Sequence, residues 1–324
     1  MKKSLPILIF TLLQFISYGQ VVKGVVIDKN TNKEIPFATV YFSETSHGTI
    51  SQQDGTFSID ISRYSSRPLT ISAIGYYSKT ITSLSDNEKL IVKLQPKVYN
   101  ISEAQIKSKS LVRARKRNLR LFREEFLGTT QNSWDCKVVN ESDITFNYFE
   151  DEDTLKAYTK NPLIIENKAL GYNITYYLDK FEYYRDIKFV FFTGNFLFEE
   201  DTSLNPELIK INRDYVYRGS RMHLFRSLWE NKLTKNNFRI INAENKRVKY
   251  KDLVVEDEEG NKYLKYKGNL RVYYFEIESK LIISDLVLFE KNGNFDPVGV
   301  RWTGAMAGRR IADWLPLDYK LIEK

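Results

Sequence analysis

The chain has 324 residues, 42% of them hydrophobic and 28% charged, with one cysteine, Cys136, and two histidines, His47 and His223. That apolar share excludes a disordered chain, and a single cysteine excludes an internal disulfide framework, so stability must come from packed cores. The formal charge of +8 is local: residues 99–127 carry eight basic and three acidic residues, whereas residues 128–324 carry thirty and thirty-one, so a spread basic surface for nucleic acid is excluded.

Lys2 and Lys3 precede an apolar run over residues 5–16, and Ser17-Tyr18-Gly19 places small residues at a cleavage point. This pattern predicts a secretory signal peptide over residues 1–19, cut between Gly19 and Gln20. The run is too short for a membrane span of roughly 20 residues, and no Cys follows the cut, which removes a lipoprotein anchor. No later run is long enough to cross a bilayer. The mature chain is therefore expected to be exported to the periplasm or the outer-membrane surface, without nucleic acid as a partner.

Residues 21–28 (VVKGVVID), 36–43 (PFATVYFS), 49–52, 57–61, 69–74, 76–82 and 90–94 (LIVKL) read as short strands. Asp54-Gly55 is a two-residue hairpin signal. After it Phe57, Ile59 and Ile61 alternate with Ser58 and Asp60, the period of a half-buried strand. Strands of this spacing predict a small β-sandwich. Gly24, Asp28, Pro36, Ala38 and Val40, then Gly48-Thr49, Asp54-Gly55 with Phe57, Ile74-Gly75-Tyr76 and Leu94 resemble the carboxypeptidase regulatory-like domain over residues 20–98. The resemblance implies a transthyretin-like (prealbumin-like), seven-stranded, non-catalytic module, abundant in exported proteins of the Bacteroidota.

Residues 111–127 (LVRARKRNLRLFREEFL) predict a basic amphipathic connector helix, with Leu119, Phe122 and Phe126 on one stripe and Gly128 as its stop. Arg113, Arg117 and Arg120 on the other faces are a candidate contact with an anionic membrane surface. The simpler expectation is a docked stripe with solvated charges.

Beyond Gly128 a β-rich α+β domain is expected over residues 129–324. Strands are predicted at 143–149, 163–165, 173–178 and 189–192. Asn205 and Pro206 open a helix that Gly219-Ser220 interrupts. On the restarted helix Met222, Phe225, Leu228 and Trp229 form the buried stripe, with His223, Ser227 and Glu230 on the polar side. A β-meander follows through residues 247–256, 262–266, 270–277 and 281–289, then strands at 298–302 and 315–321. Residues 126–128, 162–172 (PLIIENKALGY) and 309–319 (RRIADWLPLDY) resemble the region that follows the regulatory-like domain in a group of exported Bacteroidota proteins, a resemblance that implies no mechanism.

Candidates for chemistry are sparse. Zinc carboxypeptidases need a His-x-x-Glu pair with a distant His, and neither His47 nor His223 is followed by that Glu. No Gly-x-Ser-x-Gly elbow is present, and Cys136 reads as a buried apolar residue. Residues 150–153 (EDED) are an acidic run of solvated loop type. Arg218, Arg221, His223 and Arg226 form a candidate anion site. No cofactor or metal is expected. The expected function is a non-catalytic envelope binding or accessory protein with an envelope protein or glycan as partner. The alternatives are an envelope hydrolase built from Asp, Glu or Tyr in the second half, and a membrane-surface protein.

Overall fold

The computed structural model describes residues 20–65, 67–84, 89–97, 109–297 and 299–321. The expected signal peptide, with Gly19, lies outside them. Seven short strands come first: β1 (Val21–Asp28), β2 (Thr39–Tyr41), β3 (Gly48–Ile50), β4 (Thr56–Asp60), β5 (Leu69–Ser72), β6 (Lys79–Ile81) and β7 (Leu90–Leu94). They form two sheets, β4-β1-β7 and β3-β2-β5-β6, with β1 and β7 parallel. Val26, Val40, Phe57, Ile59, Ile71 and Val92 fill the space between them. The alternation read from residues 57–61 is the observed one, apolar side chains inward and Ser58 and Asp60 outward.

One expectation is corrected here. Asp54-Gly55 does not close a hairpin between paired strands, because β3 and β4 belong to opposite sheets. The Asp54 side chain accepts from the Thr56 amide at 2.9 Å, and Gly55 takes φ +72°. The turn is thus a corner between the sheets. A Cβ at Gly55 would lie 2.7 Å from the Val26 carbonyl oxygen, so both the backbone angle and the space require glycine.

The second unit opens with α1 (Lys109–Phe126), followed by β8 (Cys136–Val138), β9 (Ile144–Phe149), β10 (Thr154–Thr159), β11 (Leu163–Asn167), β12 (Tyr172–Tyr184) and β13 (Phe189–Glu200). The sheet runs β8-β11-β12-β10-β9, and β13 pairs β12 along its whole length with one bulge near Leu178. The predicted stripe of α1 lies on this sheet. Phe122 is fully buried, its ring centroid 4.7 Å from that of Phe181, and Phe126 packs on Tyr176 at 5.0 Å. Each such buried ring stabilises the docking by about 1.5–3 kcal/mol.

The third part comprises α2 (Pro206–Tyr217), α3 (Arg221–Trp229), β14 (Phe238–Asn242), β15 (Val254–Glu256), β16 (Lys262–Leu264), β17 (Gly268–Tyr274), β18 (Ile277–Ile283), β19 (Val287–Phe289), β20 (Val300–Gly304) and α4 (Ala305–Gly308). Its sheets run β14-β17-β18-β20 and β15-β16-β19. Asn205 caps α2 by accepting from the amides of Glu207 and Leu208. Ser220 caps α3 through the His223 amide. Between them Gly219 takes φ +71° against the Tyr274 ring. The break separates two cores: Val216 and Tyr217 pack with the β12–β13 sheet, while Leu224, Phe225 and Leu228 pack with the sheets that follow.

Three further expectations change. His223 and Ser227 are buried rather than polar-side residues, because Tyr217, Phe238 and Tyr274 cover that side of α3. The strand expected over 281–289 is two strands, β18 and β19, in different sheets. Residues 315–321 form no strand. Their backbone groups bond to scattered partners instead, with Leu317 N donating to Glu44 O and Arg226 donating to Leu317 O and Tyr319 O.

The sandwich is fastened to the second unit by its Ser43–His47 loop. Glu44 N donates to Phe196 O at 2.8 Å and Phe198 N to Thr45 O at 3.0 Å, so the loop pairs with the end of β13. Tyr41, Tyr177 and Leu197 make a small apolar cluster across the joint, and the hydroxyls of Thr39 and Tyr177 lie 2.8 Å apart.

Candidate functional site

Arg218, Arg221, His223 and Arg226 do not converge on one surface. Arg218 is exposed. Arg226 donates to three backbone carbonyls, of Asn292, Tyr319 and Leu317, at 2.7, 2.9 and 3.1 Å. His223 accepts from the Gly219 amide through Nδ1 at 3.1 Å, and burial pushes its pKa down to about 4, aided by Arg218 and Arg226. These two residues serve the fold. Of the four, Arg221 lines a cavity.

Arg113, Arg117 and Arg120 stand exposed on α1, Arg120 beside Glu124 at 2.9 Å. His47 stacks on the Tyr64 ring at 5.0 Å, with Phe42 at 6.0 Å, and its Nε2 is 2.6 Å from Asp60 O. Cys136 is buried and its thiol pushed up to about 12. The acidic run at residues 150–153 turns between β9 and β10, where Glu152 meets Lys156. Among the described residues, no three of His, Cys, Asp and Glu stand together in a way that could hold a metal ion.

The three stretches singled out in the sequence meet in space. Ala312 N donates to Leu127 O at 3.0 Å, and Asn167 Nδ2 donates to Ala312 O at 3.0 Å. Gly128 sits so close to Gly308 O that a Cβ would lie 2.9 Å away. Thr130 and Asn132 both donate to the Asp313 carboxylate at 2.7 Å. The 309–319 segment is therefore a strap, and a cavity of about 210 Å³ opens along it.

This cavity lies at the junction of all three packed units. The sandwich loop contributes Glu44, the second unit Phe196 and the strap residues Trp314 and Leu317, and the third Arg221 and Phe295. Arg221 donates one hydrogen bond, Nη2 to Arg309 O at 2.6 Å. Its other four N–H groups find no acceptor among the described residues. Burial, then Arg310 and Arg309, lower its pKa to about 10, which still leaves it charged at neutral pH. Arg310 is paired with Glu125 at 3.2 Å.

Glu44 holds the sandwich side. Its backbone takes φ +67°, a conformation L-residues rarely adopt, fixed by bonds to Phe196 O and from Leu317 N. Its carboxyl accepts no hydrogen bond from a described residue, and burial raises its pKa, opposed by Arg67 and reinforced by Glu290. Arg221 and Glu44 were not paired by sequence reasoning. The 309–319 stretch, singled out in the sequence by resemblance alone, forms the strap that touches both.

A second, more polar cleft of about 500 Å³ runs beside α2. Its carboxylates are engaged by the chain itself. Glu200 pairs with Arg213 at 2.8 Å, Asp201 accepts from Ser203, Asp214 from the Tyr319 hydroxyl, and Asp318 Oδ2 from Ser46 and Tyr64 at 2.8 and 2.9 Å.

Residues 22–106 match the family model of the CarboxypepD_reg-like domain, and the chain carries that domain as its transthyretin-like sandwich. No curated protein matches the chain. Among solved structures, the chain is similar to a candidate membrane-associated protein of unknown function from Bacteroides fragilis NCTC 9343. The identity is 12%, the coverage 88% of this chain and 92% of that one, and the TM-score 0.19. Among the described residues no helix is long and apolar enough to cross a membrane.

Proposed function

We propose that this chain is a non-catalytic binding or accessory protein of the bacterial cell envelope, and that it takes its ligand in the junction cavity. The observation that carries this reading is the Arg221 guanidinium, with four unspent N–H donors in a cavity walled by Phe196, Phe295 and Trp314. Ligand sites are concave and mostly apolar with a few converging polar groups. Asp313 acts on this cation electrostatically but spends its own oxygens on Thr130 and Asn132, and a half-buried cation with unspent donors is costly unless something completes it. The sandwich supports the reading by supplying one wall of the cavity instead of hanging free. The envelope assignment rests on the expected signal peptide and on the CarboxypepD_reg-like domain.

The test is to incubate the full chain with envelope extract, then analyse both the retained molecules and a broad panel of hydrolase substrates. The reading expects an unaltered bound molecule, lost from a Trp314→Ala variant, and no turnover. Turnover abolished by Asp214→Asn would replace it with the hydrolase reading.

One observation favours a second reading, contact with an anionic membrane. Leu111 and Val112 are 43% and 58% exposed beside Arg113, Lys116 and Arg117, an apolar edge next to a basic face. Flotation with anionic vesicles, lost after Arg113, Arg117 and Arg120 are replaced by Ala, would support it. Flotation unchanged by those replacements would remove it.

A further inference from the structure

Two side chains of opposite charge line the junction cavity with hydrogen-bonding capacity left over among the described residues. Arg221, at the N-terminus of α3, offers four free donors. Glu44, on the sandwich loop, offers two carboxylate oxygens that accept from no described residue. They do not neutralise each other: Arg309, Arg310 and Asp313 are the charged groups that act on Arg221, and Arg67 and Glu290 those that act on Glu44. Neither is among the charges that act on the other, and the rings of Phe196, Phe295 and Trp314 are among the walls of the cavity they share.

We infer that the cavity binds a short apolar peptide with free termini, its carboxylate on Arg221, its ammonium on Glu44, and its side chains against the aromatic wall. A guanidinium fork matches a carboxylate in two parallel hydrogen bonds. The partly desolvated Glu44 carboxyl needs a cation or donor to be held ionised. A simple fatty acid would satisfy Arg221 and leave Glu44 facing a methyl group. A dianion would set a like charge against Glu44. An extended chain gains about 3.3–3.6 Å per residue. A single amino acid holds its two charges on one α-carbon, and two or three residues separate them further. The volume of about 210 Å³ is roughly seven water-sized groups at ~30 Å³ each, enough for the buried part of such a peptide.

This inference rests on the binding reading of the junction. Its test uses the full chain and leucyl-phenylalanine, followed by tryptophan fluorescence and calorimetry, beside its C-terminal amide, its N-acetyl form and decanoate. The free peptide is expected to bind saturably, and each blocked form to bind on the order of tenfold more weakly, the worth of one charge-assisted contact. Arg221→Gln is expected to abolish the difference between free and amidated peptide while keeping the effect of acetylation. Glu44→Gln is expected to do the reverse. Circular dichroism and melting confirm that each variant folds. If one does not, the wild-type comparison of free, amidated and acetylated peptide decides the matter alone. Equal binding of the blocked forms, decanoate binding as tightly as the peptide, or no peptide binding would overturn the peptide assignment. If an envelope molecule is still retained and still lost from Trp314→Ala, the cavity remains a binding site for another ligand. If neither is seen, the binding reading itself falls.

Discussion

Arg221 Nη2 donates to Arg309 O at 2.6 Å, and the Arg309 guanidinium returns to the far side of the same helix break, donating to Val216 O and Arg218 O at 2.9 and 3.1 Å. The corner between α2 and α3 is thereby stapled to the strap. The staple keeps Arg221 at the cavity and spends only one of its donors. Arg309→Gln is expected to lower unfolding stability by about 1.5–3 kcal/mol, since charged hydrogen bonds to the orphan carbonyls at a helix end are lost. A denaturant titration measures it, and an unchanged midpoint would show that the corner holds without the staple.

His223 gives the fold a pH dependence whose sign is fixed. Its pKa falls from 6.5 to about 4 in the folded chain because the ring is buried and Arg218 and Arg226 lie near. Protonation therefore favours unfolding. The stability is fully present above about 6.5 and is lost as pH falls from 6.5 toward 4, by up to roughly 3 kcal/mol. Melting temperatures over this window should fall in the wild type, and part of that slope should vanish in His223→Gln. An identical slope in both would assign the acid sensitivity elsewhere.

The joint between sandwich and strap depends on Asp318. Its Oδ2 accepts from Ser46 and Tyr64, while its Oδ1 is buried without a partner among the described residues. Tyr64→Phe removes one of two bonds to an already under-satisfied carboxylate. The expected loss is about 1–3 kcal/mol, read from thermal or denaturant unfolding. No loss would mean the joint is carried by the apolar cluster of Tyr41, Tyr177 and Leu197.

At the sandwich corner, Gly55→Val should cost about 2–3 kcal/mol, from a β-branched residue forced to positive φ and a Cβ pressed on the Val26 carbonyl. A melt that is unchanged would contradict the corner geometry.

The sandwich was readable because its signals are local. The alternation at residues 57–61 and the Asp54-Gly55 turn depend on neighbours in sequence, and Tyr76 and Asp28, both in the quoted pattern, are joined at 2.9 Å. What the turn could not encode is which sheet the next strand enters, and β4 crosses to the sheet opposite β3. Asn205 and Ser220 announced the two helix starts for the same local reason. His223 was misplaced because helical periodicity counts faces of one helix and cannot see Tyr217, Phe238 and Tyr274 closing over the polar one. Residues 315–321 read as a strand in the sequence because their apolar side chains suit either form, and their bonds go to distant partners. Of the candidate anion cluster, the structure turns only Arg221 toward the cavity. Its counterpart Glu44 lies far away in sequence, with no spacing to connect them.

The cavity's central property is that its walls come from all three packed units, so a ligand bound there must protect all three together. Amide hydrogen exchange of the full chain with and without leucyl-phenylalanine tests this directly. The account predicts simultaneous slowing in residues 43–45, 220–222 and 313–317, and its loss in Arg221→Gln. Protection confined to one of these segments, or found only at the cleft beside α2, would contradict it.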